Sequence, residues 1–226
     1  MSINRGKVSL IFRFVAVSLL FMTVAAFSGC ADMSNRNPVV TFEMDSSRSS
    51  GIGGIFKIEL YPDKAPNSVN YFIGLVVEGY YDGFHVSKAV SDTMVVFGDP
   101  WYEKKNDRVI YGEFAENGFE GNDVDFVRGT VGLALDEGDN DSNYGDFFIV
   151  LDDGAKESMN GRYCAVGRVT EGIELLDEIS HVKTTSSLGY QPYLSVATLK
   201  ATIDLRGKTY PEAVTSERKN KPGYWD

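Results

Sequence analysis

The sequence predicts a mainly β protein, a barrel of short strands covered by two α-helices. Two observations carry this. Short runs rich in β-branched and aromatic residues, at 39–44, 55–60, 94–97, 130–135, 147–151, 163–169 and 195–205, are separated by Gly, Asn and Asp clusters. Only two segments have helical spacing, and many strands with two covering helices suit a barrel. In the first helix Pro66 stands at the start. Val69, Phe72, Ile73, Val76 and Val77 follow i, i+3, i+4, i+7, i+8, and Gly79 ends it. The second covers 172–179, where Ile173, Leu176 and Ile179 face inward and Glu174, Asp177 and Glu178 face water. Gly51, Gly53 and Gly54 read as a hairpin turn, since no Lys-Ser/Thr follows them as a phosphate loop would require.

The first 29 residues have a signal peptide's layout. Arg5, Lys7 and Arg13 precede an uncharged apolar stretch at 14–27, short of the roughly 20 residues a membrane-spanning helix needs. Phe27-Ser28-Gly29-Cys30 then resembles a bacterial lipobox, which makes Cys30 the expected lipidation site and mature N-terminus. Residues 30–38 are the lipidated cysteine and a polar tether ending at Pro38, with a reach of roughly 25–30 Å. The globular domain covers 39–212, and 213–226 is a charged and aromatic tail.

Charge narrows the partners. The chain carries 22 basic and 32 acidic residues, a net −10. Removing residues 1–29, with three basic and no acidic residues, leaves −13. So acidic a surface opposes nucleic acid and anionic lipid alike, and membrane attachment must come from the anchor. Cys30 and Cys164 are the two cysteines. With Cys30 lipidated, Cys164 is a lone thiol in an apolar stretch, expected to be buried rather than reactive.

Three blocks carry a family resemblance. YYDGFHVSKAVSDTMVVFGDP at 80–100, GEFAENGFEGNDVDFVRGTVGLALDEGDNDSNYGDFFIV at 112–150 and MNGRYCAVGRVTEGIELLDEIS at 159–180 resemble, in order and spacing, the cyclophilin-type peptidyl-prolyl isomerases. The resemblance implies a closed antiparallel eight-stranded barrel capped by two α-helices. It implies isomerisation of X–Pro bonds with no cofactor and no metal. It puts Lys88 at the position of the family's catalytic arginine, with Ser87 in place of its histidine. Met94, Ala134, Phe148 and Met159 fall around the proline pocket, with Tyr163 at its rim. Thr93 stands where the family has a pocket Phe, Val96 and Asp146 where it has Gln, and Leu135 where an Asn is common. His85, two positions early in the alignment, and His181 are expected to be surface or packing residues.

The chemistry explains why those positions matter. Conjugation of the prolyl nitrogen with the carbonyl sets a rotation barrier of about 20 kcal/mol. A hydrogen bond donated to the nitrogen as it pyramidalises weakens that conjugation, and an apolar pocket holds the ring; no covalent step is needed. An ammonium lacks the planar fork of a guanidinium, so Lys88 predicts reduced turnover. The expected substrates are proline-containing segments of exported proteins, met by a monomer lipid-anchored to the outer face of a bacterial membrane. A non-catalytic module that grips prolyl peptides on the same barrel is the alternative. The acidic loop 136–146 spaces Asp139, Asp141 and Asn143 like a calcium loop. It puts Tyr144 where that loop needs Gly and Val150 where it needs Glu, so a solvated loop is expected.

Overall fold

The computed structural model describes residues 36–98, 108–135, 145–185 and 190–217. The expected signal segment, Cys30 with most of the tether, and nearly all of the acidic loop lie outside these residues. Strand β1 (Val39–Met44) and strand β2 (Gly54–Leu60) form a hairpin in which Met44 pairs with Gly54 and Phe42 with Phe56. Alternation puts Val40, Phe42, Phe56, Ile58 and Leu60 fully inside, and the Phe42 and Phe56 rings stack 4.9 Å apart. The glycines between are the hairpin connection, with Gly51 at φ +70° and Gly54 at +140°.

Helix α1 (Pro66–Val77) begins at the proline and buries Val69, Phe72, Ile73 and Val76 as its spacing predicts, together with Ser68, Tyr71 and Leu75, but Val77, expected on the same face, ends the helix 68% exposed. Ala65 at its N-cap offers no side-chain acceptor. The buried carboxylate of Glu113 supplies it from another loop: Oε1 accepts from Asn67 N–H at 3.1 Å and Oε2 from Ser68 N–H at 2.7 Å.

The remaining elements follow in order. Strands β3 (Val86–Val90), β4 (Met94–Phe97), β5 (Arg108–Val109), β6 (Thr130–Leu133) and β7 (Phe147–Val150) precede α2 (Lys156–Met159), a single turn. After it come β8 (Ala165–Glu171), α3 (Ile173–Ser180), β9 (Thr184–Thr185), β10 (Gln191–Pro192), β11 (Thr198–Asp204) and β12 (Ser216–Glu217). Eight strands make one antiparallel sheet in the order β11-β1-β2-β8-β6-β7-β4-β3. The sheet curls until the chain just before its two edge strands meets. His85 bridges Ala197, Val86 N–H donates to the Val196 carbonyl at 2.9 Å, and Thr198 N–H donates to that of Phe84 at 2.8 Å. Among the described residues the edges are joined by this short seam and not by a full ladder. Helix α1 packs against β11, and α3 against β2, β3 and β4.

Inside the curl lies an aromatic core of Phe42, Phe56, Phe72, Tyr81, Phe97 and Phe147, each 3% exposed or less. Phe97 and Phe147 stack at 4.8 Å across β4 and β7. Each such ring contributes roughly 1.5–3 kcal/mol on burial. Tyr81 satisfies its hydroxyl by donating to the Gly145 carbonyl at 2.9 Å, and burial holds its pKa well above the ordinary phenol value. Cys164 is buried, 1% exposed, and desolvation pushes its thiol up to about 12.

Residues 213–217, at the start of the expected tail, are tied into the domain. Asn67 donates from Nδ2 to the Val214 carbonyl at 3.0 Å and accepts from Val214 N–H at 2.8 Å, while β12 pairs with β5.

Candidate functional site

The outer face of the same sheet carries a second, smaller apolar cluster. Antiparallel register lines up Lys88, Val96, Phe148 and Gly132 on successive strands, as Lys88↔Val96, Val96↔Phe148 and Gly132↔Phe148. Directly opposed residues share a face, so this row runs across the outside. Lys88 begins it, two strand spacings or about 10 Å from the Phe148 backbone.

Lys88 reaches that face through a β-bulge. Val86 pairs with Phe97 and points inward, 3% exposed. Strict alternation would turn Lys88 inward too. The register shifts between Val86 and Lys88, leaving Ser87 as the additional residue, and Lys88 emerges outside while Ala89 is buried. The Ser87 hydroxyl donates to the Val96 carbonyl at 3.3 Å. The Lys88 ammonium lies over the Tyr190 ring, 5.9 Å from its centroid.

Phe148, 4% exposed, is the floor of the outer cluster. Phe126 stacks on it at 5.7 Å and Tyr163 meets it edge-on at 5.4 Å. Val150 and Ala165 are buried alongside, while Val96, Val124, Ala134, Met159 and Tyr163 pack around as a partly open rim. Gly132 makes room for the floor. A Cβ there would strike the Phe148 ring and stand 2.7 Å from Phe126 Cε1.

Loops clamp the rim in place. Asn160 Oδ1 accepts from Phe126 N–H at 2.9 Å, and its Nδ2 donates to Asp125 Oδ1 at 2.7 Å. Lys156 Nζ lies 2.6 Å from Asp125 Oδ2, and that hydrogen bond, followed by the one from Asn160, keeps the Asp125 carboxyl below its ordinary pKa. Residues 122–127 are thereby strapped to the turn that presents Met159. Asn122 Nδ2 adds donations to the carbonyls of Glu113 and Ala165, both at 3.0 Å.

Of the residues singled out from sequence, Val96, Ala134, Phe148, Met159 and Tyr163 meet in this one cluster. Met94 stands directly opposite Val150, a cluster member, and Lys88 heads the row. Thr93 sits in the β3–β4 turn with its hydroxyl donated to the Ser91 carbonyl at 3.0 Å. Asp146 immediately precedes β7, where its Oδ2 would stand 2.6 Å from a Cβ on Gly98. Leu135 turns the other way and packs on the inner core. His85 lies at the seam with Nδ1 3.4 Å from Ser195 Oγ, and His181 ends α3. Sequence reasoning passed over Phe126, Gly132 and Tyr190. Phe126 alone carried a signal, the apolar alternation Val124, Phe126 within a polar loop. A hollow of about 200 Å³ lined by Asn37, Tyr61, Asp63, Lys64 and Val124 shares Val124 with the rim but includes none of the expected site residues.

Residues 40–202 match the family model described as cyclophilin type peptidyl-prolyl cis-trans isomerase/CLD. The chain belongs to the cyclophilin family. Among its relatives, peptidyl-prolyl cis-trans isomerase 10 of Caenorhabditis elegans is 33% identical over 66% of this chain and 89% of its own length. A probable peptidyl-prolyl cis-trans isomerase of Brucella suis is 35% identical over 56% of this chain and 66% of its own length. Among solved structures, a cyclophilin type isomerase of Cryptosporidium parvum, determined in the presence of the dipeptide Ala-Pro, superposes with a TM-score of 0.60. It covers 74% of this chain and 98% of the other at 20% identity, a likeness of fold. The described parts of the cyclophilin blocks at 80–100, 112–150 and 159–180 therefore map onto β3–β4, onto β6 and β7 with the loop before β6, and onto the stretch from Met159 through α3.

Proposed function

We propose that this chain is a peptidyl-prolyl cis-trans isomerase whose turnover is low for its family, acting on proline-containing segments of exported proteins from a lipid anchor on Cys30. Peptidyl-prolyl isomerisation is what the matched family and the relatives are named for. The observation that carries the reading to this chain is the cross-strand row. It sets a cation, Lys88, on the same face as an apolar, partly open cluster floored by Phe148. A proline ring held against Phe148, Met159 and Tyr163 leaves its nitrogen facing the Lys88 side of the row. There one ammonium hydrogen can be donated as the nitrogen pyramidalises, and the rim keeps competing water away.

Low turnover follows from the same row. The residue directly opposite Lys88 is Val96, whose side chain has no atom to accept a hydrogen bond, so no β4 side chain holds the ammonium from that position. This also favours the second reading, a module that binds prolyl peptides without turning them over. Exchange spectroscopy on Ala-Pro peptides separates the two. Lys88→Ala should lower kcat/KM by roughly 10- to 100-fold, the worth of a hydrogen bond from a charged group, with peptide binding retained. Lys88→Arg should raise it above wild type. Binding by every form with turnover in none would leave the binding module. For the anchor, membrane-fractionated protein should lose incorporated fatty acid in Cys30→Ser.

A further inference from the structure

Lys88 has neighbours on two sides, and only one of them can hold a cation. On the β4 side is Val96. On the other side β10 lies against β3, and Ala89 N–H donates to the Tyr190 carbonyl at 3.0 Å. Tyr190 N–H donates to the Thr185 carbonyl at 2.9 Å, so both backbone groups of Tyr190 are pegged, one to β3 and one to β9. Its ring lies under the Lys88 ammonium at 5.9 Å, within the range of a cation–π contact, and the residue is 49% exposed. Among the described residues Lys88 has no ion-pair partner. Tyr190 also adopts φ +68°, the left-handed region, where glycine is at ease and an aromatic residue is uncommon. A ring kept at a position whose backbone favours glycine points to a use for the ring.

We propose that Tyr190 is the positioning residue for Lys88: its ring face gathers the flexible lysine stem and holds the ammonium over the outer sheet face, the role that Val96 cannot fill. The inference rests on the isomerase reading of the site. A lysine has four rotatable bonds and strong hydration, and without a partner it samples many positions that miss the prolyl nitrogen. A ring face restricts that range without neutralising the charge or competing for the ammonium hydrogens.

Three variants of the full chain test this. Tyr190→Phe keeps the ring face, Tyr190→Leu removes it, and Tyr190→Gly removes it while suiting the backbone, so a folding defect in the Leu form does not confuse the outcome. The first readout is the proton shift of the Lys88 ε-methylene, assigned by its loss in Lys88→Arg. A stacked lysine is displaced upfield in wild type and Tyr190→Phe and returns to the free value in Tyr190→Leu and Tyr190→Gly. The second is kcat and KM on an Ala-Pro peptide, with kcat expected to fall about two- to fivefold in the ringless forms, KM unchanged, and Phe restoring it. A Lys88 shift that does not respond to removing the ring overturns the proposal. So does a response with kcat equal to wild type, or an equal loss in Tyr190→Phe. If wild type itself has no turnover, the isomerase reading fails separately, and the shift alone then decides whether Tyr190 holds Lys88.

Discussion

Phe147 and Phe148 are adjacent in the chain, carry the same side chain and are both buried, yet they belong to different bodies. Phe147 is 0% exposed and stacks on Phe97 inside the curl, where Phe42, Phe72 and Tyr81 surround it. Phe148 turns outward, where its neighbours are Phe126, Tyr163 and a rim of partly exposed residues. The inner face is closed and filled, so its contacts serve stability. The outer cluster is closed below and open at the rim, which leaves apolar surface for a ligand to cover. β7 is buried along its whole length because both of its faces are covered.

Substitutions can break or sharpen that contrast. Phe147→Ala should cost about 3–5 kcal/mol in denaturant unfolding, because a filled core cannot collapse around the cavity. Phe148→Ala should cost clearly less, since its open rim can relax, while prolyl-peptide affinity falls. Equal stability losses would erase the distinction between the faces. Glu113→Ala should cost about 1–3 kcal/mol by leaving the buried Ser68 N–H and the part-buried Asn67 N–H of α1 unpaired, with peptide binding little changed. Gly132→Ala should cost about 1–3 kcal/mol of overpacking, and because it displaces the Phe148 and Phe126 rings it should weaken peptide binding as well.

The smallest effect lies away from both faces. The Asp177 carbonyl, accepting from His181 Nδ1–H at 2.8 Å, and then the Asp92 carboxylate raise the His181 pKa above its ordinary value. A raised imidazole pKa stabilises the fold fully below the unfolded value of about 6.5 and loses that contribution as pH rises through the folded value. The stability difference between wild type and His181→Gln should therefore shrink from pH 6 to pH 8 in thermal melts.

Much of the inner face was legible because alternation and helical spacing report directly on burial. Strands β1 and β4 begin and end where the residue pattern puts them, and α1 starts at Pro66. Strand β3 was not legible. Val86, Lys88 and Val90 read as one face of a strand with a charge in its middle, a pattern that the bulge alone makes sense of. Strands β5, β9, β10 and β12 are two residues long, too short for any period to show. The outer cluster was found through the resemblance, and the members it omitted, Phe126 and Gly132, act through contacts between rings and backbone that no spacing encodes. Glu113 escaped notice for a similar reason: a cap supplied from 45 residues away leaves no local mark.

The bulge at Ser87 makes this site sensitive to how β3 pairs as opposed to which residues compose it. Deleting Ser87 would straighten β3 and leave Val86, Lys88 and Ala89 on the faces they now have, whereas pairing Ser87 with Val96 in a regular ladder would rotate Lys88 toward the aromatic interior and Ala89 toward solvent. Loss of the bulge with Ser87 still in place is therefore the damaging change, trading a surface cation for a charge aimed at the core. In a protein of this architecture, the register of one short strand decides which side of the sheet the chemistry is on.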